Sequence, residues 1–274
     1  PGKGGNPTGD GIKAALWAGG QMDPIGAACT FNRACCKPDQ TAGNGTVGEW
    51  FWFGEQPFMK VNLNGNRFCN ESGPYDYMLH SAYMQPHHTY CDIWDANYAE
   101  QVRQMNEVGC CRLYPFDNGA PSNRTIESMA SEFEKLIEAG YIQQADTMEE
   151  LAEKLNIPVE NTVKSWQRYN HLAEQGRDED YNKEAYRLMK LDTPPFYGVR
   201  TGAWFLATLA GVMIDTDMHP VREDGTPVEG LYLTGDCSGG FFSVSYPNLF
   251  TGLACGRTMT FGRRAGMLAA TGQA

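Results

Sequence analysis

The sequence predicts a mixed α/β protein with an inserted helical segment, and three stretches carry that prediction. Near the C-terminus, Leu231-Tyr232-Leu233-Thr234 reads as a short apolar strand ending on Gly235-Asp236. A glycine-bearing loop and Tyr246-Pro247-Asn248 follow, then a long helix pattern from about Thr251. Between Lys60 and Phe68, Asn64-Gly65 flanked by extended composition reads as a hairpin. From Tyr77 to about Tyr197, helix signals dominate and charge rises. A strand, an acidic turn and a helix N-terminus in one run suit a nucleotide held by backbone amides and one carboxylate.

The bulk numbers narrow the classes. At 274 residues and 42% hydrophobic content the chain can form one large domain or two smaller ones around a real core. A net charge of −11 argues against nucleic acid or an anionic membrane as partner. No apolar run is long enough to span a bilayer. The chain begins Pro1-Gly2 with no signal-peptide pattern, so the expectation is a truncated or processed chain and a cytoplasmic location. Nine cysteines include two vicinal pairs but no C-x-x-C, which points to reduced thiols packed as small apolar groups. His87-His88 reads as a loop feature, and no metal is expected.

The elements follow in order. Gly2-Lys3-Gly4-Gly5 lacks the preceding strand and the spacing of a dinucleotide fingerprint, and no other stretch supplies one. Thr8-Gly9-Asp10-Gly11 opens a short alanine-rich helix that ends at Gly19. Asp10 there reads either as a helix cap or as a nucleotide contact. Glu49 to Phe53 is a dense aromatic run. Gly73-Pro74 imposes an irregular backbone that lets Tyr75 project into a cleft. Three helices are expected across Ser122–Gly140, Leu151–Leu155 behind a Thr147/Glu150 capping box, and Pro158–Glu174. Gly211–Asp215 and Gly230–Thr234 read as a β-meander.

With these pieces in place, the chain resembles the flavoproteins of the fumarate reductase and 3-ketosteroid dehydrogenase superfamily. The likeness rests on Thr8-Gly-Asp-Gly-Ile12, on Asn64-Gly-Asn-Arg-Phe-Cys-Asn-Glu71, and on the segment from Thr147 through Asn170 to Pro195. Its fourth part is Gly230-Leu-Tyr-Leu-Thr-Gly-Asp236 through Thr260-Phe-Gly-Arg263. The resemblance implies an FAD-binding Rossmann-like domain of the glutathione-reductase type, incomplete for want of G-x-G-x-x-G, with an inserted helical cap domain. It divides the chain into a first FAD-binding part at 1–72, a cap at 73–197 and a second FAD-binding part at 198–274.

The resemblance also implies roles. Asp10 is an early FAD contact and Asp236 faces the flavin ribitol. Gly252, Ala254 and Cys255 bring backbone amides to the flavin pyrimidine edge, and Ala207 takes the place of a ring-contacting histidine. The proton-donating arginine of fumarate reductases is replaced by Tyr75 and a second arginine by Leu249. Their paired histidines are replaced near Leu206-Ala207, and the proton-feeding Glu/Arg pair by the run at Trp50–Phe53. Without those arginines a dicarboxylate is poorly compensated.

Tyr75 and Tyr246-Pro247 match the tyrosines of the steroid enzymes, although Phe250 stands where those have glycine. The expected activity is hydride transfer between FAD and a carbonyl-conjugated C=C of a bulky apolar enone or acrylate, with the electron donor unknown. Phe241-Phe242 and Trp50–Phe53 would suit such a substrate. The alternatives are a fumarate-type reductase, or a non-catalytic module that needs a separate FAD-binding segment.

Overall fold

The computed structural model describes residues 8–42, 48–105, 111–242, 245, 246, 250 and 252–272. In chain order these form α1 (Asp10–Trp17), β1 (Ala28–Phe31), β2 (Ala34–Cys36), β3 (Glu49–Trp50), β4 (Met59–Asn62), α2 (Tyr75–Tyr83) and β5 (Thr89–Trp94). There follow α3 (Tyr98–Met105), α4 (Ile126–Glu138), β6 (Ile142–Ala145), α5 (Met148–Lys154) and α6 (Val159–Gln175). The chain ends with β7 (Phe196–Gly202), β8 (Trp204–Thr208) and α7 (Leu253–Thr271). The expected α/β class is observed. The chain packs as two compact units, Phe31–Trp204 and Gly2–Thr30 with Phe205–Ala274. Both expected segment boundaries, 72/73 and 197/198, fall inside the larger unit.

The larger unit is built on an antiparallel sheet in the order β3-β2-β7-β5-β4, with β6 also on β7. Strand β7 is its hub. One edge pairs with β5 from Thr89↔Gly202 to Trp94↔Tyr197. The other edge is shared between β2, at Cys35↔Thr201, and β6, from Ile142↔Val199 to Ala145↔Phe196. The segment read as helical therefore supplies β5, β6 and the start of β7. Strand β5 escaped the sequence reading because all six of its residues are buried. A strand covered on both faces shows no apolar/polar alternation.

The helices of this unit start where side chains can cap them. Thr125 and Ser128 form a reciprocal capping box at α4. At α5, Thr147 accepts from the Glu150 amide at 3.2 Å, but the Glu150 carboxylate accepts from Asp146 instead of closing the box.

Packing corrects the reading of the aromatic run. Phe51 and Phe53 are fully buried; Phe51 stacks on Trp94 at 5.8 Å and Phe53 meets Phe133 edge-on at 5.0 Å. These rings are core, since burying such large apolar faces outweighs any use as an open pocket wall. Cys35, Cys36, Cys69 and Cys91 are buried free thiols, as expected. Burial pushes Cys36, Cys69 and Cys91 up to about 12. His88 stacks flat on Tyr83 at 4.3 Å, and no metal-binding group occurs among the described residues.

In the smaller unit, Ala15, Val212 and Leu233 form a small core with Ile12, Ile214 and Cys237. The expected meander is reduced to isolated bridges, Ile214↔Pro220 and Val221↔Pro227. Two prolines in the partner positions remove the donors a regular ladder needs. Leu231–Thr234 is extended but unladdered among the described residues, tied down by the Leu233 amide donating to Met218 at 2.8 Å. It leads into a 3-10 turn, Gly235–Cys237. None of the described helices is long and apolar enough to cross a membrane.

Candidate active site

The turn Gly235–Cys237 is where the smaller unit gathers most of the expected cofactor residues. Asp236 lies in it with an exposed side chain, while its carbonyl accepts from Thr208 Oγ1 at 3.2 Å. That bond holds the end of β8, including half-buried Ala207, against the turn. From the other side, α1 packs so closely that a Cβ at Gly11 would lie 3.2 Å from Cys237 Sγ. A Cβ at Gly235 would meet Thr258 of α7 at 3.6 Å. The first turn of α1, the end of β8 and the second turn of α7 thus meet around the turn that carries Asp236.

Gly211 lets the backbone come this close. Val212 and Ser238 form a parallel bridge, and a Cβ at Gly211 would stand 2.6 Å from the Cys237 carbonyl oxygen. The Asp23 carboxylate pins the same crossing by accepting from Gly211 N at 3.0 Å and Gly240 N at 2.8 Å. At α7, Gly252 occupies the N-cap with φ 85°, a conformation that glycine adopts without strain, and no side chain caps the helix. Ala254 and Cys255 therefore stand in an uncapped first turn, whose amides have no intrahelical acceptor and carry the positive end of the helix dipole.

Asp10 is not the α1 cap. Gly9 holds that position with φ 71°, and Asp10 is the first helical residue. It accepts from Thr8 Oγ1 at 2.6 Å, faces Lys13 at 3.6 Å, and stays 81% exposed. Tyr246 is half-buried, its ring 5.1 Å from that of Phe242. Pro247, Asn248 and Leu249 lie outside the described residues, and with them the position taken for a lost arginine.

Tyr75 belongs to the larger unit. It does not project from a loop. It is the first residue of α2, behind Pro74 as N-cap. Proline's fixed φ suits a helix start. The ring is half-buried between two apolar clusters, one around Leu79 and Tyr90 and the other around Phe31 and Trp204.

The loop before Tyr75 is clamped by buried charge. Arg67 grips Glu71 at 2.7 and 2.8 Å and Asp178 at 2.9 and 2.7 Å, and Lys183 lies 3.5 Å from Glu71. The Lys183 cation and the Arg67 pair hold the Glu71 carboxyl below its usual value against the penalty of burial. Arg187 donates to the Ser72 carbonyl at 3.2 Å and Asn70 to the Asn182 carbonyl at 3.2 Å. Sequence reasoning missed this clamp. The Arg67/Glu71 spacing was visible, but nothing local pointed to Asp178 or Lys183.

Residues 6–248 match the family described as FAD binding domain. The chain belongs to that family. FAD is accordingly its cofactor. The FAD-binding chain is 26% identical over 269 residues to a vinyl phenol reductase of Lactiplantibacillus plantarum, covering 97% of this chain and 54% of that one. It is 30% identical over 288 residues to a 3-oxosteroid 1-dehydrogenase of Mycobacterium tuberculosis, covering 95% and 46%. Among solved structures, the 3-ketosteroid Δ1-dehydrogenase of Sterolibacterium denitrificans shares the fold with TM-score 0.68 at 23% identity, covering 96% and 47%. The FAD-binding chain thus spans about half the length of these relatives.

Proposed function

We propose that this chain forms the flavin-facing and substrate-facing part of an FAD-dependent oxidoreductase acting on a carbonyl-conjugated C=C bond. The observation that carries the reading is Tyr75, fixed at the head of α2 by the Arg67–Glu71–Asp178 clamp. An immobilised phenol at that point suits a proton transfer that must meet one carbon.

The residues present fit the cofactor. The uncapped first turn of α7 offers the amides of Ala254 and Cys255 to an electron-rich ring edge, and Asp236 has a carboxylate free to accept from ribitol hydroxyls. Asp10, in the same neighbourhood, offers a second acceptor, and Ala207 stands where the resemblance puts a ring-contacting histidine. FAD, when bound, supplies the hydride exchange. In this reading residues 1–72 and 198–274 serve the flavin, and 73–197 cover the substrate.

Tyr75 holds the proton that is exchanged at the carbon next to the carbonyl. A phenol of ordinary pKa near 10 serves as a relay when hydrogen-bonded. Tyr246 donates to the carbonyl oxygen and sets the substrate's register. Tyr75 and Leu249 stand where the resemblance puts the two arginines of a dicarboxylate site, so a dicarboxylate would enter without that countercharge. The substrate is therefore a bulky apolar enone or acrylate. The relatives named for 3-oxosteroids and for acrylate support that class.

The test is a comparison of acceptors on the intact, FAD-loaded protein, with an unsaturated 3-ketosteroid, a neutral aromatic acrylate ester and fumarate assayed side by side under reducing conditions. Saturable turnover of a neutral substrate, with fumarate at least tenfold poorer in kcat/KM, is expected. Preference for fumarate would overturn the reading.

A further inference from the structure

The smaller unit holds a buried cation that nothing in the reading above employs. Arg257, in the second turn of α7, is 5% exposed. One terminal nitrogen donates to the Ser238 carbonyl at 2.6 Å and to Ser238 Oγ at 2.5 Å. The guanidinium sits 4.9 Å from the ring of Phe241, 5.3 Å from Phe242 and 5.7 Å from Phe261. Its Nε is buried with no acceptor. No carboxylate among the described residues reaches ion-pair distance of it, and the remaining residues of this unit contain no Asp or Glu.

A buried guanidinium ordinarily has a carboxylate beside it, because removing a charge from water costs several kcal/mol. Here burial pushes the Arg257 pKa down, opposed by the more distant fields of Asp236 and Asp23. The aromatic faces compensate part of that cost but add no negative charge. The position is also specific. A helical side chain leans toward the helix N-terminus, so Arg257 reaches back over the turn that carries Ala254. The uncapped amides and an uncompensated cation therefore share one end of α7. Together they form a positive pole with no carboxylate at ion-pair distance among the described residues.

We propose that Arg257 is a positioning residue whose charge stabilises negative charge developing on the pyrimidine edge of FAD, acting together with the α7 amides. This rests on the flavin half of the reading above and not on the choice of substrate. The same pole could instead receive a substrate carboxylate, and the test separates the two.

Sulfite is the probe. Its sulfur lone pair bonds to flavin N5, the ring takes up that electron pair, and visible absorption bleaches. The adduct's added negative charge rests on the ring edge in question, so affinity reports positive charge there without turnover. In FAD-loaded protein, Arg257→Gln is expected to weaken sulfite at least tenfold, and Arg257→Lys to stay within threefold of wild type.

Arg257→Leu, which keeps apolar contact with the three rings, is the second charge-removing variant, and the result is read on whichever retains FAD. Unchanged sulfite affinity in that variant overturns the proposal. So does a loss confined to the KM of a carboxylate-bearing acrylate, which would assign Arg257 to the substrate. Failure of both variants to fold while Arg257→Lys folds normally also overturns it, in favour of a structural pin. A wild type that binds FAD and sulfite but reduces no enone would sink the substrate reading alone.

Discussion

Arg67 and Asp178, 111 residues apart in sequence, meet through two parallel hydrogen bonds of 2.9 and 2.7 Å, with Glu71 on the other side of the same guanidinium. All three side chains are almost fully buried. Asp178 also accepts from the amides of Asp180, Tyr181 and Lys183. The pair ties the loop that enters α2 to the loop after α6, so it links fold stability to the placement of Tyr75.

Asp178→Ala should cost about 3–5 kcal/mol, the usual penalty for leaving one member of a buried pair behind. The Arg67 guanidinium and the loop amides hold the Asp178 carboxyl down to about 2, below its ordinary value near 3.8. A depressed carboxyl stabilises the fold above its unfolded pKa and loses that contribution as pH falls through the folded one. The stability gap between wild type and Asp178→Ala should therefore be full above about pH 4 and shrink toward pH 2. Urea midpoints across that range check it; a gap independent of pH would remove the charge from the argument.

Asp92 behaves in the opposite sense. It sits in β5, fully buried, 3.1 Å from Lys60, with one carboxylate oxygen unpartnered. Burial pushes its carboxyl up to about 6, with the Lys60 cation pulling it back. Because the folded pKa exceeds the unfolded one, the native state holds the proton longer, and stability falls as pH rises from about 4 through 6. Asp92→Asn cannot lose that proton. The variant should gain on wild type over this window by at most about 3 kcal/mol, the equivalent of a shift near two pKa units. Parallel pH–stability curves for the two proteins would contradict it.

Tyr75→Phe keeps the ring between its two apolar clusters and removes only the hydroxyl. Turnover should drop about 100-fold or more, as expected for loss of a proton-transfer group, with FAD content and melting temperature near wild type. Tyr246→Phe should instead raise KM for the ketone more than it lowers kcat. Stopped-flow reduction of substrate and a flavin spectrum of each variant separate the two roles. Near-normal turnover in Tyr75→Phe would exclude it from the chemistry.

Gly211→Ala tests the crossing under the cofactor turn. The new Cβ would meet backbone atoms of Cys237 and Ser238 at 2.6 Å, and neither is the free end of a side chain. Overpacking of this kind costs about 1–3 kcal/mol. Because the displaced backbone carries Asp236, FAD occupancy should fall with stability. An equally stable variant with weakened FAD binding would also agree with this geometry; unchanged occupancy would not.

Much was readable in the chain itself. The periodicity of Ile126, Met129, Phe133, Leu136 and Ile137 with Gly140 as its stop, and the Thr147 start, define helices that appear within a few residues of expectation. Those signals are local: a cap, a stripe and a stop all lie within a few turns of one another. The motif residues Asp10, Ala207, Asp236 and the Gly252–Cys255 turn were also named from the chain, and the fold gathers their elements around one 3-10 turn.

Tertiary structure alone decided the rest. Strand β5 has no alternation because all six of its residues are buried, and the strands that pair along its edges, β4 and β7, come from more than twenty-five and a hundred residues away, in the register Met59↔Ile93 and Trp94↔Tyr197. Phe51 and Phe53 of the aromatic run could have lined a pocket or filled a core until Trp94 and Phe133 packed against them. Arg67 finds Asp178, and Arg257 finds three phenylalanines and, among the described residues, no carboxylate, only once distant segments meet. Local pattern determines which element a residue joins. Charge and ring partners depend on the folded chain, because electrostatic and packing energies are set by distance in space and not along the sequence.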